Sequence, residues 1–343
     1  MKLDDTLPSP RASSMKFGIM ASHQYPHDED LGKHLSELFG TVELAAELGY
    51  DSVWTINHFQ SNLATPQPIS MMAALIPRTG TMRIGTGILL LPLFHPVHVA
   101  EEFATLDHLS GGRVILGVGA GYRENELAAF GVEPDTRFRR MDESLRVIRA
   151  LWSGEPVTHE GEYFPLRDAS IGIRPLTPGG PPIWVGAGGK RAVRRAARLG
   201  DAWYAPGNAP SKKFLPEHLA VYDAALAEYG KDTVHVERPV GVELYCAPST
   251  EQAVAEGLPH ARSEYATYAE YPALRWQRDR FDELVLNTLL LGSPEMLIER
   301  IGRLRDLGFN HLIFRPGWMG LPAERVRASL RLFAKEVFPA FNH

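Results

Sequence analysis

The chain has 343 residues, 44% of them hydrophobic, with a formal net charge of −5 and a pI near 6.2. That length suffices for one large domain or two medium ones, and the mild acidity lacks the basic footprint by which proteins grip nucleic-acid phosphates. A single cysteine, Cys246, rules out an intrachain disulfide, and no apolar run approaches the roughly 18 residues of a membrane span.

The opening segment MKLDDTLPSPRASS has neither the cationic start nor the apolar stretch of a signal peptide. It reads as a loose leader over residues 1–14, followed by one domain over 15–343 of a cytoplasmic protein. Next comes a short strand, FGIM (17–20), and then an amphipathic helix from Leu31 to Leu48, stopped by Gly49. DSVWTI is a second strand and Ser70 to Ile76 a second helix. MRIGTGILLL (82–91) reads as the third strand, with a helix from Val97 to Leu109 ended by Gly111-Gly112. RVILGVG (113–119) is the fourth strand, followed by a helix from about Met141 to Trp152. VTHEGEYFPL (157–166) alternates like a surface hairpin. The series resumes with PIWVGAG (182–188), a helix from Arg191 to Leu199, DAWYAP, a helix across 214–229 and VGVELYCA (240–247). It closes with a helix from Pro294 to Leu307, NHLIFRP (310–316) and a helix from Ala323 to Val337.

Eight strand–helix units of this kind close into an α/β fold, a (β/α)8 TIM barrel with insertions at the C-terminal face. A doubly wound sheet also alternates, but FGIMASHQ carries only one glycine and no dinucleotide fingerprint.

Chemistry is expected where the strands end. His58, in INHFQ, stands just past the second strand, either on the active face or as a loop cap. Gly85-Thr86-Gly87 interrupts the third strand, where glycine marks a bulge or the close approach of a ligand. VGAGGK sets Gly186, Gly188 and Gly189 at a helix start. There backbone N–H groups and the helix dipole favour a phosphate, a tight turn being the alternative. Arg191, Arg194, Arg195 and Arg198 lie opposite Ala192, Val193, Ala196 and Ala197 and read as a solvated outer face, with contact to an anion left open for the helix's first residues. His23 and His27 flank Pro26, which prevents a zinc-binding helix, and no metal is expected. Cys246 reads as a small buried apolar residue.

TINHF, RIGTGILLLPLFHPVHVAEEFATLDHLSGGRVILGVGAGY, PIWVGAGGKRAVRRAARLGDAWY and LLLGSPEMLIERIGRLRDLGFNHLIFRPG together resemble the bacterial luciferase-like flavin-dependent monooxygenases, a (β/α)8 family that includes deazaflavin (F420) enzymes. The resemblance runs from about Met15 to Phe341 and implies reduced FMN, or F420, at the barrel mouth. It implies oxygen chemistry or acid–base work for His58 and a non-prolyl cis peptide at Gly87-Ile88. Ala120, Gly121, Tyr122, Gly188 and Gly189 fall beside the phosphate, and Arg139 at a phosphate-binding arginine. Ala120 replaces luciferase's phosphate arginine and Gly119 its reactive cysteine, which argues against light emission.

Three functions follow: an FMNH2-dependent monooxygenase, an F420-dependent oxidoreductase moving hydride, or a non-catalytic flavin-binding protein. In the second, Lys190 or Arg191 would meet the cofactor's acidic tail. With no dinucleotide fingerprint, the first needs a separate NAD(P)H:flavin reductase as partner. A homodimer and a small organic substrate are expected, with no nucleic acid and no membrane. The aromatic strand ends Trp54, Phe94, Trp203 and Tyr204 point to a moderately hydrophobic substrate. SEYATYAEYPALRWQRDRFDELVL (263–286) does not fit the repeat and reads as a lid over the site or a helix on the flank.

Overall fold

The structure, a computed structural model, describes residues 14–21, 24–207, 211–271 and 274–341. Eight parallel strands form the barrel: β1 (Lys16–Met20), β2 (Ser52–Thr55), β3 (Arg83–Thr86), β4 (Val114–Gly119), β5 (Ile183–Gly186), β6 (Ala202–Pro206), β7 (Pro239–Cys246) and β8 (His311–Arg315). Neighbours pair in chain order, and β8 closes the ring on β1 with Lys16 opposite His311. The fold is therefore the expected TIM barrel, with helices outside. A hairpin is present as well, but displaced from the expected 157–166: Val157–His159 pairs antiparallel with Leu166–Ala169, so the second strand starts where the expected one ended.

Two expectations need correction. The run 82–91 is not one strand, because a cis peptide at Gly87-Ile88 divides β3 from the short strand Leu89–Leu90. The stretch after β7 contains a helix, Thr250–Tyr268, that periodicity did not reveal. Pro259 inside it removes one backbone donor and masks the pattern, while the Ser249 side chain caps its start by accepting from Gln252 N–H.

The barrel interior is filled by two indoles, Trp54 and Trp184, stacked at 4.8 Å, with Ile115, Tyr204 and Ile313 around them. A Cβ at Gly85 would lie 2.5 Å from the Trp54 ring, so this glycine makes room for core packing and not for a ligand.

Beneath Trp54, its indole N–H donates to Ser52 Oγ at 2.8 Å, and Ser52 Oγ lies 2.7 Å from His311 Nε2. Burial holds the His311 pKa down to about 3. Unfolded histidine titrates near 6.5, so below that pH the unfolded chain takes up a proton the folded chain refuses. Stability is therefore present above about pH 6.5 and falls towards pH 3, by up to about 1.4 kcal/mol per pH unit. Urea midpoints across this window should show the decline, and His311→Gln should flatten it; an unchanged slope would mean that other groups set it.

Candidate active site

All eight strands, or the residues just past them, contribute to one cavity of about 1520 Å³, β7 through its middle residues Gly241 to Glu243. Its floor is Met20 at the end of β1, Ile88 just past β3, Val185 in β5 and Tyr204 in β6. These surfaces are close-fitting: a Cβ at Gly119 would meet Ile88 Cδ1 at 1.8 Å, and one at Gly87 would meet Met20 Cε at 3.1 Å. His58, Gly87, Ile88, Ala120, Gly121, Tyr122, Gly188 and Gly189 all line the cavity.

Hydrogen bonds hold the loop after β2. Asn57 Oδ1 accepts from Leu90 N–H at 3.1 Å, Asn57 Nδ2 donates to Gln67 Oε1 at 3.0 Å, and Gln67 Nε2 donates to the His58 carbonyl at 2.9 Å. His58 Nδ1 then lies 2.9 Å from Oε1 of Glu126, a side chain only 1% exposed, and that oxygen also accepts from Phe59 N–H at 2.8 Å. Because the Glu126 carboxylate accepts, Nδ1 carries the ring proton and Nε2 is left as a bare acceptor. Burial lowers the His58 pKa, the Arg123 charge adds to the lowering, and the Glu126 hydrogen bond opposes it without cancelling it. A neutral imidazole with a fixed tautomer is suited to taking a proton.

Arg139 is not part of this site. Its side chain is 62% exposed, pairs with Glu162 at 3.2 Å and does not line the cavity. Arg191, Arg194, Arg195 and Arg198, read as an outer face, instead rim the mouth together with Lys190. They do sit opposite Val193, Ala196 and Ala197, but the charged face of their helix, from Lys190 to Arg198, borders the cavity. Arg194 pairs with Glu228 at 2.7 Å, and Arg195 and Arg198 pair with Asp142. Of the aromatic residues expected at strand ends, Tyr204 lines the cavity; Trp54 fills the barrel core and Trp203 is buried against Tyr222.

Several residues escaped sequence reasoning. Besides Glu126 these are Arg123, whose side chain is 2% exposed, and a buried network around Arg315. Arg315 Nη2 donates to Glu243 Oε1 at 2.7 Å and Nη1 to Glu264. Tyr265 OH donates to Glu243 at 2.8 Å, and Tyr268 OH lies 2.7 Å from both Glu264 and Gln24. Such partners stand 51 and 72 residues apart in the chain, and only folding brings them together.

The late segment covers this side. Tyr265, Tyr268, Leu274 and Trp276 line the cavity, and Asn62 N–H donates to Tyr271 OH at 2.8 Å. Cys246 is buried, and burial pushes its thiol up to about 12. Among the described residues no group of His, Cys, Asp and Glu could hold a metal; His23 lies outside them. No helix among them is long and apolar enough to cross a membrane.

The family model of luciferase-like monooxygenases matches residues 15–311. The chain belongs to that family. It is 31% identical to an F420-dependent glucose-6-phosphate dehydrogenase of Microbacterium testaceum, over 95% of this chain and 97% of the relative. It is also 31% identical to the 4-hydroxyprotoasukamycin monooxygenase of Streptomyces nodosus subsp. asukaensis, over 96% and 92%. The monooxygenase RslO1 from Streptomyces bottropensis superposes with a TM-score of 0.85 at 26% identity, over 95% of this chain and 99% of that one. An oxidoreductase of luciferase-like type is the shared description.

Proposed function

We propose that this oxidoreductase is a monooxygenase that works with reduced FMN, supplied by a separate NAD(P)H:flavin reductase, on a moderately hydrophobic organic molecule. The observation that carries the reading is the charge inside the cavity. Arg315 is fully engaged by Glu243 and Glu264, and Arg123 stands beside Glu126 at 3.9 Å. One arginine against two carboxylates leaves that network at −1, and the other pair is neutral. Bringing a phosphorylated sugar against Glu243 and Glu264, away from the cationic rim, would add two negative charges beside a network that is already anionic, which is costly. Aromatic walls from Tyr265, Tyr268 and Trp276 suit an uncharged ring system better.

The residues present fit a flavin. The close-fitting surface of Gly87, Ile88, Gly119 and Gly186 offers a wall without protruding side chains for a flat ring. Gly189 caps the helix Lys190–Leu199 without a side chain, and Val193 N–H is the first to bond back, to Gly189 O at 2.9 Å. The backbone N–H groups of Lys190, Arg191 and Ala192 therefore remain for a phosphate. Reduced FMN, when bound, would supply the two electrons for oxygenation. The chain's part is to exclude water with its apolar floor and late segment, and to accept or hold a proton at His58 Nε2.

A second reading is F420-dependent hydride transfer. It is favoured by the cationic rim, which would suit an acidic tail, and by the resemblance to the Microbacterium testaceum dehydrogenase. Anaerobic titration with FMNH2 and with reduced F420, followed by admission of oxygen, separates the two. We expect tighter binding of FMNH2 and oxygen consumption with product formation when substrate is present. Preference for reduced F420 and indifference to oxygen would select the second reading. FMN should also bind at least about tenfold more tightly than riboflavin, since only FMN presents a phosphate to the helix start. Equal affinities would rule that phosphate site out.

A further inference from the structure

The Arg123 guanidinium is almost fully buried and lines the cavity, yet among the described residues its Nε and Nη1 have no hydrogen-bond partner. Its contact with Glu126 Oε1, at 3.9 Å, is too long for a hydrogen bond. That oxygen already accepts from His58 and Phe59, and Glu126 Oε2 also has no partner among the described residues. One face of the guanidinium lies over the Tyr271 ring, 3.9 Å from its centroid, and the Tyr122 hydroxyl accepts a hydrogen bond from the same group, which together orient it while Nε and Nη1 stay unsatisfied. Buried donors of this kind normally have partners, and a ligand anion would supply one.

His58 stands on the same Glu126 oxygen, with Nε2 bare, so a proton acceptor and a cation share one carboxylate. Tyr122, 45% exposed with its ring edge-on to His58 at 6.1 Å, has its pKa raised by partial desolvation of the hydroxyl and stays neutral. We propose that the substrate is an acidic enol or phenol, whose hydroxyl proton passes to Nε2 of His58 and whose oxygen anion is held by Arg123. This names the substrate class within the monooxygenase reading and rests on it.

The step balances within the site. The substrate O–H bond breaks, an N–H bond forms at Nε2, and the electron pair stays on the substrate oxygen. A neutral molecule enters, and afterwards two cations, His58 and Arg123, face two anions, Glu126 and the substrate oxygen. The total charge is unchanged, so an acidic hydroxyl ionises here without the penalty that a phosphorylated sugar would meet. A carboxylate that arrives already charged lacks this advantage.

The test needs neither flavin nor oxygen, so its outcome is independent of cofactor choice. The probe is 4-nitrophenol, whose phenolate and phenol have distinct absorption bands. It is titrated with the protein at about one pH unit below the probe's own pKa, where about nine-tenths of the free probe is neutral. We expect the bound probe to be mostly phenolate, a rise of about fivefold in that fraction. Arg123→Met and His58→Gln should each return the bound probe to the neutral spectrum, and Arg123→Lys should keep part of the shift. Circular dichroism checks each fold, and if Arg123→Met fails to fold, Arg123→Lys and His58→Gln carry the test. No saturable phenolate band with the unmodified protein, whether from absent binding or from binding as neutral phenol, overturns the proposal. So does a band that survives His58→Gln or Arg123→Met. If the band behaves as expected but FMNH2 binds poorly, the monooxygenase reading fails and the ionising site stands.

Discussion

His58→Ala should keep the fold and lower turnover by on the order of a hundredfold or more, the usual scale for losing a positioned proton-transfer group. The expectation rests on Nε2, the one ring nitrogen left free by the Glu126 contact at 2.9 Å. The pH profile adds a second reading of the same group. Burial lowers the His58 pKa below the ordinary 6.5, so the imidazole is neutral and competent at neutral pH. Turnover should fall on the acid side, at a pH below 6.5, as Nε2 becomes occupied. The sign for stability runs the same way: the unfolded state protonates first as pH drops, so this histidine's contribution is present above its unfolded pKa and declines below it. His58→Ala should remove the acid limb from whatever turnover remains. Turnover and profile both unchanged would leave His58 with a structural role, its carbonyl accepting from Gln67.

How much of this was legible follows from the range of each signal. Strand runs are local, so the eight barrel strands and the first strand of the hairpin could be read directly, whereas the helix after β7 was hidden by Pro259. Glycine was ambiguous because its absent side chain has two uses. Gly85 yields to Trp54 from within the barrel, whereas Gly87, two residues on, borders the cavity. The helical pattern of residues 191–198 correctly separated an apolar from a charged face. It carried no information on what lay beyond the charged face, and there the arginines rim the mouth. Arg139 fell on the exposed side of its own helix, where it meets Glu162. The partners of His58 and Arg315 were out of reach, since nothing near His58 announces Glu126, 68 residues later. Unpaired polar groups such as Arg123 Nε become visible only when every other donor and acceptor has been placed.

The largest stability loss is expected from Arg315→Met. The methionine is apolar and of similar length, so the change removes the charge with little loss of packing. It leaves Glu243 and Glu264 buried together, 8% and 3% exposed, with no cation between them. Their other donors are neutral: Trp318 Nε1–H donates to Glu243 Oε2 at 2.6 Å, and Met319 N–H to Glu264 Oε2 at 2.7 Å. These cannot offset two like charges. Breaking a buried ion pair by removing one partner costs about 3–5 kcal/mol, because the remaining charge is uncompensated. Urea unfolding should show a loss of that size. The cause can be separated from lost packing by adding Glu243→Gln and Glu264→Gln to Arg315→Met. Neutral amides retain the shape and much of the hydrogen bonding, so the triple variant should regain more than half of the loss. A loss below about 1 kcal/mol for Arg315→Met would mean that solvent already screens the network. A triple variant no more stable than the single one would assign the loss to packing, and the argument from cavity charge against a phosphorylated sugar would lose its footing.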